Sequence, residues 1–263
     1  MRTAGTESLP QIVERLWDAK SNRNRVALVS EQGYIVFSSR GRHRPVVVQA
    51  AGGRNLPDGV KLTPEQVGTL SKYGLRQRRA SSDYQLEIAR DQSDRLAPII
   101  AVASSILTDV YGAALEEQSV RFRFDSVPDL DNSELEEAMN HLARQRDWAA
   151  RTGLYMKMVR SQLICAVATE AGSAPQSSLD PYHAGSIGPF PTVAIFTSFE
   201  ALDNYAAVGL PARVIAGMDL FPALVALKIG SVLINPKGGP RGELYNNELH
   251  IIVDGIKKLR GVH

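Results

Sequence analysis

The apolar residues at the start of this chain change their spacing within forty positions, and that change restricts the fold more than any other feature. A helical spacing of i, i+3, i+4, i+7 and i+8 comes first, carried by Leu9, Ile12, Val13, Leu16 and Trp17. Two short β-rich runs, 26–29 and 34–37, then surround a turn at Gly33. The pattern predicts an amphipathic helix that packs against a β-hairpin.

The same alternation of helix and strand signals continues to about residue 125. A third apolar run at 46–48 is followed by a helix with Thr63 as its cap and Gly74 at its end. A strand at 84–90, a long apolar helix from Asp94 and a strand at 120–124 come next. An antiparallel sheet flanked by helices is the predicted architecture, and Pro128 marks a break after it.

The second half opens with a capping box from Ser133 to Glu136 and then alternates helices with apolar strands. Strands separated by helices predict an α/β sheet. The whole chain is therefore predicted to be α+β in class, with domains at 1–125 and 126–263. The segment 171–191, rich in Gly, Ser and Pro, is predicted to be a flexible polar loop.

Composition excludes several classes of protein. The chain is 44% hydrophobic and 22% charged, near the globular average, which argues against a disordered or collagen-like chain. Cys165 is the single cysteine, so an internal disulfide and a thiolate metal cluster are excluded, and a reducing, cytoplasmic location is predicted. The most apolar run, 97–107, is shorter than the roughly 20 residues that cross a bilayer, so no membrane span is expected.

Charge is distributed unevenly along the chain. Residues 1–80 hold 14 Lys and Arg against 6 Asp and Glu, a balance of +8, whereas the remainder holds 16 against 22, a balance of −6. Basic residues cluster at 20–25, 40–44 and 76–79. Aromatic residues do not interleave with them, so a solvated basic face is favoured over a nucleic-acid site.

Motifs for catalysis are absent from the sequence. No GxSxG elbow, GxxxxGK loop or HExxH helix occurs, and the five histidines lack paired spacing. Cys165 lies in an apolar run, where a buried thiol is inert. The glycines of KGGPRGE are read as turn glycines, with anion capture beside Lys237 and Arg241 as the alternative. Asp180 and His183 fit a surface loop better than a ligand site. No catalytic residue, metal or cofactor is predicted.

The second half resembles the SseB protein N-terminal domain family. The resemblance is carried by SELEEAMNHLARQRDWAARTGLYMKMVRSQLICAV, FPTVAIFTSFEALDNYA, MDLFPAL and SVLINPKGGPRGEL, in that order. It implies an α/β fold and supplies no catalytic residues. The matching positions are interpreted as structural, a helix cap and a strand-ending turn; they are Phe196, Thr197, Ser198, Asn235 and Pro236.

The first half resembles the type III secretion chaperone-like domains grouped as TY-Chap. The order helix, hairpin, strand, then LTPEQVGTLSKYGL and a long helix ending in SILTDVYG carries this resemblance. It implies a homodimer that holds an extended polypeptide client against a twisted antiparallel sheet. The candidate client contacts are Tyr34, Val36, Phe37, Arg40, Arg42 and Arg44. Alternation alone does not decide which face of the hairpin contacts solvent.

These observations predict a non-enzymatic, polypeptide-binding accessory protein with a chaperone-like half, linked to bacterial secretion or to the cell envelope. Two alternatives stay open. One is an enzyme with a pocket between the domains that includes residues 180–191. The other is a nucleic-acid-binding protein that uses the basic N-terminal region.

Overall fold

The structure is a computed structural model, and it describes residues 2–3, 7–57, 60–77, 83–128, 130–168 and 179–261. The chain divides into two compact units, Met1–Pro128 and Asp129–His263, called here the N-terminal and C-terminal domains. Both combine helices with a sheet, so the predicted α+β class is confirmed. Among the described residues, no helix has the length and apolarity to cross a bilayer.

The N-terminal domain is built on a seven-stranded sheet. Its helices are α1 (Leu9–Asp18), α2 (Pro64–Lys72) and α3 (Leu96–Tyr111). Its strands are β1 (Arg2–Thr3), β2 (Arg23–Val29), β3 (Tyr34–Ser39), β4 (Val46–Ala50), β5 (Arg76–Gln77), β6 (Tyr84–Ile88) and β7 (Ser119–Asp125). The spatial order is β1-β7-β2-β3-β4-β6-β5, and every neighbouring pair is antiparallel. The predicted hairpin is confirmed as β2 and β3.

All three helices of this domain lie on one face of its sheet. The guanidinium of Arg15 on α1 stacks 4.9 Å from the ring centre of Phe122 on β7, which fixes the face that α1 covers. Helix α3 packs against both α1 and α2 and therefore lies on the same side. One row of cross-strand neighbours points toward the helices: Phe122, Val26, Phe37, Val48 and Leu86. The core of the domain forms between this face and the helices.

Local signals in the sequence set the helix ends. The Gln11 side chain accepts a hydrogen bond from the Ser8 backbone N–H at 2.9 Å, at the start of α1. Thr63 accepts from the backbone N–H of Gln66 at 3.3 Å, and Gln66 accepts in return from the Thr63 N–H at 2.7 Å. Such caps stabilise a helix by about 1 kcal/mol each. Gly112 ends α3 with φ of +72°, a conformation that an L side chain rarely adopts.

The C-terminal domain holds a six-stranded mixed sheet. Its helices are α4 (Ser133–Arg144), α5 (Trp148–Arg160), α6 (Phe199–Tyr205), α7 (Gly217–Ala226) and α8 (Asn246–Leu259). Its strands are β8 (Gln162–Ala166), β9 (His183–Ile187), β10 (Phe190–Phe196), β11 (Ala212–Ala216), β12 (Ser231–Ile234) and β13 (Gly242–Tyr245). The order is β11-β8-β10-β12-β13, with β9 also paired to β10. Only β10 and β12 run parallel, because the other described neighbours pair in the antiparallel sense.

Helices cover both faces of this second sheet. Cys165 on β8 points into the core formed with α4, α5, α7 and α8, whereas its neighbours Ile164 and Ala166 face α6. The strands therefore appear in the sequence as nearly continuous apolar runs rather than as alternating ones. Burial raises the pKa of the Cys165 thiol to about 12, so the thiolate does not form near neutral pH.

Two sequence predictions for the C-terminal half need correction, and one strand was not predicted. The segment predicted to be a polar loop contains β9, and its residues 169–178 lie outside the described part of the chain. Ser133 was predicted to cap α4, but it is the first residue of that helix, and Asn132 occupies the cap position. Strand β11, which the sequence analysis did not predict, pairs along β8 from Ala212 to Ala216.

Because each domain has its own core, the fragment that ends after Pro128 is expected to fold without the C-terminal domain. Thermal unfolding followed by far-ultraviolet circular dichroism should show one cooperative transition for this fragment. A matched fragment that ends after Gly112 lacks β7 and should lose that transition, since β7 pairs with β2 along its whole length. A fragment 1–128 without cooperative unfolding would contradict the division.

Candidate functional site

The C-terminal motif residues meet where the parallel strands β10 and β12 end. Asn235 follows β12, and its side-chain oxygen accepts a hydrogen bond from the Thr197 backbone N–H at 3.0 Å. Its side-chain nitrogen donates to Thr197 Oγ1 at 2.9 Å and to the Pro240 carbonyl at 3.1 Å. Thr197 Oγ1 donates in turn to a carboxylate oxygen of Glu136 on α4 at 2.6 Å. Thr197 and Asn235 are both fully buried.

The surrounding residues complete a structural network. Asn132 donates to the Thr197 carbonyl at 2.7 Å and to the Gln162 carbonyl at 2.8 Å. Ser198 caps α6 by accepting from the Ala201 N–H at 3.1 Å, and Phe196 is fully buried. Pro236 follows Asn235 and is half-buried. These hydrogen bonds join two loops to α4 and occupy the polar side-chain atoms of Thr197 and Asn235.

Asn235 has φ of +48°, which allows its conformation and its hydrogen bonds to be tested separately. Asn235→Ala should lower the free energy of unfolding by about 3 kcal/mol, because it leaves the buried Thr197 N–H without its acceptor and because alanine tolerates the left-handed conformation less well than asparagine does. Asn235→Gly should cost about 1 kcal/mol less, since glycine adopts positive φ readily. Urea unfolding measures both values.

Asn247, an exposed residue on α8, provides the matched control, and Asn247→Ala should change stability by less than about 0.5 kcal/mol. Equal losses for Asn235→Ala and Asn247→Ala would refute a structural role for the network.

The six predicted client contacts do not form one surface. Phe37 points toward the helices, whereas Tyr34 and Val36 point to the opposite face of the sheet. All three side chains are buried, with exposed fractions of 6% for Tyr34 and 0% for Val36 and Phe37. Arg40, Arg42 and Arg44 are exposed on the loop between β3 and β4. The structure therefore leaves the three arginines at the surface and uses the apolar residues for packing.

Tyr34 belongs instead to a buried hydrogen-bonded cluster. Its phenol donates to the Asp83 carboxyl group at 2.7 Å, and that group also accepts from the Gly52 N–H at 3.0 Å and from the Asn55 side chain at 2.8 Å. The phenol of Tyr111 donates to the Ala51 carbonyl at 2.7 Å. Together these bonds fasten the loop after β4 to the end of the sheet. Burial and the neighbouring Asp83 raise the pKa of both phenols above the usual value.

Ionisation of these phenols should weaken the fold at high pH. Because the pKa of each phenol is higher in the folded than in the unfolded protein, the phenols contribute their full share to the free energy of unfolding below the unfolded pKa of about 10. That contribution decreases as the pH rises above about 10. Tyr34→Phe should cost about 1–3 kcal/mol at pH 7 and make the loss of stability above pH 10 less steep, because one ionising group is removed. Unfolding curves between pH 8 and 11 measure both effects.

Tyr73→Phe serves as the control because Tyr73 is 37% exposed. The free energy of unfolding of this variant should follow that of the unchanged protein across this pH range. A Tyr34→Phe variant with an unchanged pH dependence would contradict the role of the buried phenol.

The face of the N-terminal sheet opposite its helices carries a group of arginines. Arg23 and Arg25 on β2 lie beside Arg121 and Arg123 on β7, and these four residues are called here the arginine face. Arg25 and Arg123 are directly opposite each other across the two strands. Asp125 lies 3.2 Å from Arg123 and 3.9 Å from Arg23. Among the described residues, Asp125 therefore lies within ion-pair distance of two of these four arginines.

Burial increases the electrostatic cost of the arginine face. Arg25 is 3% exposed and Arg23 is 9% exposed, whereas Arg121 is exposed at the edge of the group. Like charges directly opposite on neighbouring strands are destabilising by up to about 1 kcal/mol per pair. Removal of guanidinium groups from water adds to that cost.

Other candidate sites offer fewer chemical groups. An open cleft of about 340 Å³ is lined by Gly53, Leu56, Val60, Lys61, Leu62, Gln77 and Tyr84. Among the described residues that line it, Lys61 is the one that carries a charge. Within the described ranges, no group of three His, Cys, Asp or Glu side chains is placed to hold a metal ion. Asp180 lies before β9, and His183, which is exposed, is the first residue of that strand.

Sequence reasoning missed the arginine face because it grouped basic residues by their distance along the chain. Arg23 and Arg25 were assigned to one cluster with Lys20, and Arg121 and Arg123 were not assigned to any cluster. A usable signal was present, since 119–125 alternates as SVRFRFD and places its arginines on one face of a strand. The register that brings this strand beside β2 joins positions about one hundred residues apart.

Comparison with known proteins adds no constraint on the site. No family model, curated protein or solved structure matches the chain.

Proposed function

We propose that the chain is a non-enzymatic, polypeptide-binding accessory protein, chaperone-like in its N-terminal domain. The observation that carries this proposal is the antiparallel N-terminal sheet: its three helices lie on one face, and the opposite face bears the arginine face, of which Arg121 is exposed. A seven-stranded antiparallel sheet with basic side chains on one face is suited to bind an extended polypeptide through backbone pairing and side-chain contacts. A client linked to secretion or the cell envelope, and a cytoplasmic site of binding, are parts of the same proposal.

Two further features support it. The described elements of the N-terminal domain after β1 follow the order α-βββ-α-ββ-α-β, which contains the order on which the chaperone-like resemblance rests. In the C-terminal domain the motif residues are engaged in the buried network around Thr197 and Asn235. We therefore assign that domain to recognition or assembly rather than to chemistry.

The arginine face also suggests an alternative function, nucleic-acid binding. Single-strand binding proteins combine basic side chains with aromatic rings on one surface, so that bases stack while phosphates are neutralised. On β7 the rings of Phe122 and Phe124 lie on the helix side, whereas Arg121 and Arg123 lie on the other. This separation favours a polypeptide over a nucleic acid.

The proposal predicts that full-length protein, captured from its native host after photo-crosslinking, recovers one or two defined polypeptides. Peptide mapping by mass spectrometry should place the crosslinks within residues 7–128. A nuclease-treated sample should give the same result, because the bound partner is protein. Crosslinks confined to the C-terminal domain, or recovery of nucleic acid without a polypeptide, would refute the proposal.

A further inference from the structure

Two basic segments that are separate in the sequence meet at one end of the N-terminal sheet. Gly41, in the loop between β3 and β4, lies against the backbone that precedes β2. A Cβ at Gly41 would be 3.6 Å from the Ser21 carbonyl oxygen and 3.8 Å from that of Lys20. Lys20, Arg42 and Arg44 are all exposed. The fold thus places three exposed cations on neighbouring stretches of backbone, and these three residues are called here the basic end.

Arg90, which lies just after β6, holds this loop in place. Its guanidinium donates to the Arg44 carbonyl at 2.6 Å and to the Gly41 carbonyl at 3.0 Å. The same group donates to Ser39 Oγ and to the Trp17 carbonyl, and it lies 4.6 Å from the centre of the Trp17 ring. Hydrogen bonds donated by a charged group are stronger than neutral ones, so these contacts fix the path of the loop.

A β-turn places two of the cations close together. A backbone hydrogen bond of 3.2 Å, donated by the Arg44 N–H, closes this turn around Arg42 and His43. Within the described part of the chain, the side chains of Lys20, Arg42 and Arg44 form neither a hydrogen bond nor an ion pair. Arg40 does interact within the chain and is not counted with them. The three charges of the basic end are therefore available to a partner.

The acidic residues near this loop do not cancel its charge. Burial lowers the pKa of Arg90, and the nearby charge of Asp18 opposes that shift. Asp18 and Asp91 are exposed, and neither forms an ion pair with a described residue. Arg40 and Glu87, which have opposite charges, both interact within the chain. The three cations of the basic end and the Arg90 guanidinium outnumber the two exposed carboxylates, so the charge here is positive.

We propose that the basic end binds a run of acidic residues in the polypeptide client. This inference rests on the proposed polypeptide-binding function. A fixed turn with unpaired guanidinium groups suits carboxylates, since one guanidinium can bind one carboxylate through two parallel hydrogen bonds. A single exposed ion pair contributes little to binding, so several adjacent carboxylates are needed for a stable contact.

Two other anionic partners fit this end less well. Single-stranded nucleic acid binds where aromatic rings accept bases beside cations, but one face of the Trp17 ring is occupied by Arg90. Membrane-surface segments combine basic residues with apolar side chains that insert among the lipids, whereas the exposed residues of this turn are Arg42, His43 and Arg44. A polypeptide with an acidic run is therefore the favoured partner.

The test measures binding of fluorescein-labelled nine-residue peptides to the full chain by fluorescence polarisation. A peptide with four consecutive Glu residues at its centre should bind at least ~5-fold more tightly than the same peptide with Gln in their place. Raising the salt concentration from 50 to 200 mM should reduce this difference, because salt screens exposed charges.

Variants locate the site. Arg42→Gln with Arg44→Gln should weaken binding of the Glu peptide at least ~5-fold. The matched control is Arg144→Gln with Arg146→Gln, because these arginines are also exposed and two positions apart but lie beside Asp147 in the C-terminal domain. The control makes the same change in net charge and should leave binding unchanged. Arg42→Glu with Arg44→Glu should reverse the preference, so that a peptide with four central Lys residues binds more tightly than the Glu peptide.

The failure of this inference can be distinguished from failure of the proposed function. Equal binding of the Glu and Gln peptides, or an equal loss in the two double Gln variants, would overturn the acidic run while leaving polypeptide binding in place. Tighter binding of a labelled single-stranded oligonucleotide or of phosphatidylserine vesicles, lost in Arg42→Gln with Arg44→Gln, would overturn it in favour of that partner. If no peptide binds but crosslinking still captures a client within residues 7–128, the inference fails alone; if neither occurs, both fail.

Discussion

The pairing of β7 with β2 is the constraint on which the N-terminal domain depends. It joins the two ends of that domain's sequence over seven consecutive positions and places Phe122 beside Val26 in the row that faces the helices. Val26 is fully buried there, and full burial of such a side chain contributes about 1.5–3 kcal/mol. Because side chains alternate along a strand, the same register necessarily brings Arg123 beside Arg25 on the other face. The apolar core and the arginine face are therefore two results of one pairing.

The two domains use buried polar groups in similar ways. In the N-terminal domain, Asp83 joins Tyr34 to the loop after β4. In the C-terminal domain, Asn235 joins two loops at the ends of the parallel strands. Both clusters satisfy their hydrogen bonds internally, which is how buried polar groups are tolerated in a folded protein. The arginine face differs from them because two like charges, those of Arg25 and Arg123, lie directly opposite each other across neighbouring strands.

Local sequence signals were enough to predict much of the fold. The capping box at Thr63, the hairpin turn at Gly33 and the cap at Ser198 depend on residues within a few positions, and the structure confirms each of them. The strands β9 and β11 were missed because their sequences are short and only partly apolar, so tertiary pairing rather than propensity determines them. The single parallel pair in the second sheet was also beyond local reasoning, since alternating helices and strands do not specify which strands become neighbours.

The candidate site was less predictable than the fold. Tyr34, Val36 and Phe37 were expected to contact a client, yet the alternation of β3 could not reveal that both of its faces would be buried. Prediction of the arginine face requires the register between β2 and β7, which a single sequence does not provide. Once that register is known, the RFRF alternation of 121–124 shows that Arg121 and Arg123 lie on the same face of the sheet as Arg23 and Arg25.

Amide hydrogen–deuterium exchange of the full chain, with and without the polypeptide captured by crosslinking, tests the account most directly. If the N-terminal domain holds the client at the basic end, exchange in the presence of the client should slow at residues 39–46 and stay unchanged at 192–197, within the C-terminal sheet. Slower exchange confined to the C-terminal domain, with residues 39–46 unaffected, would contradict the account.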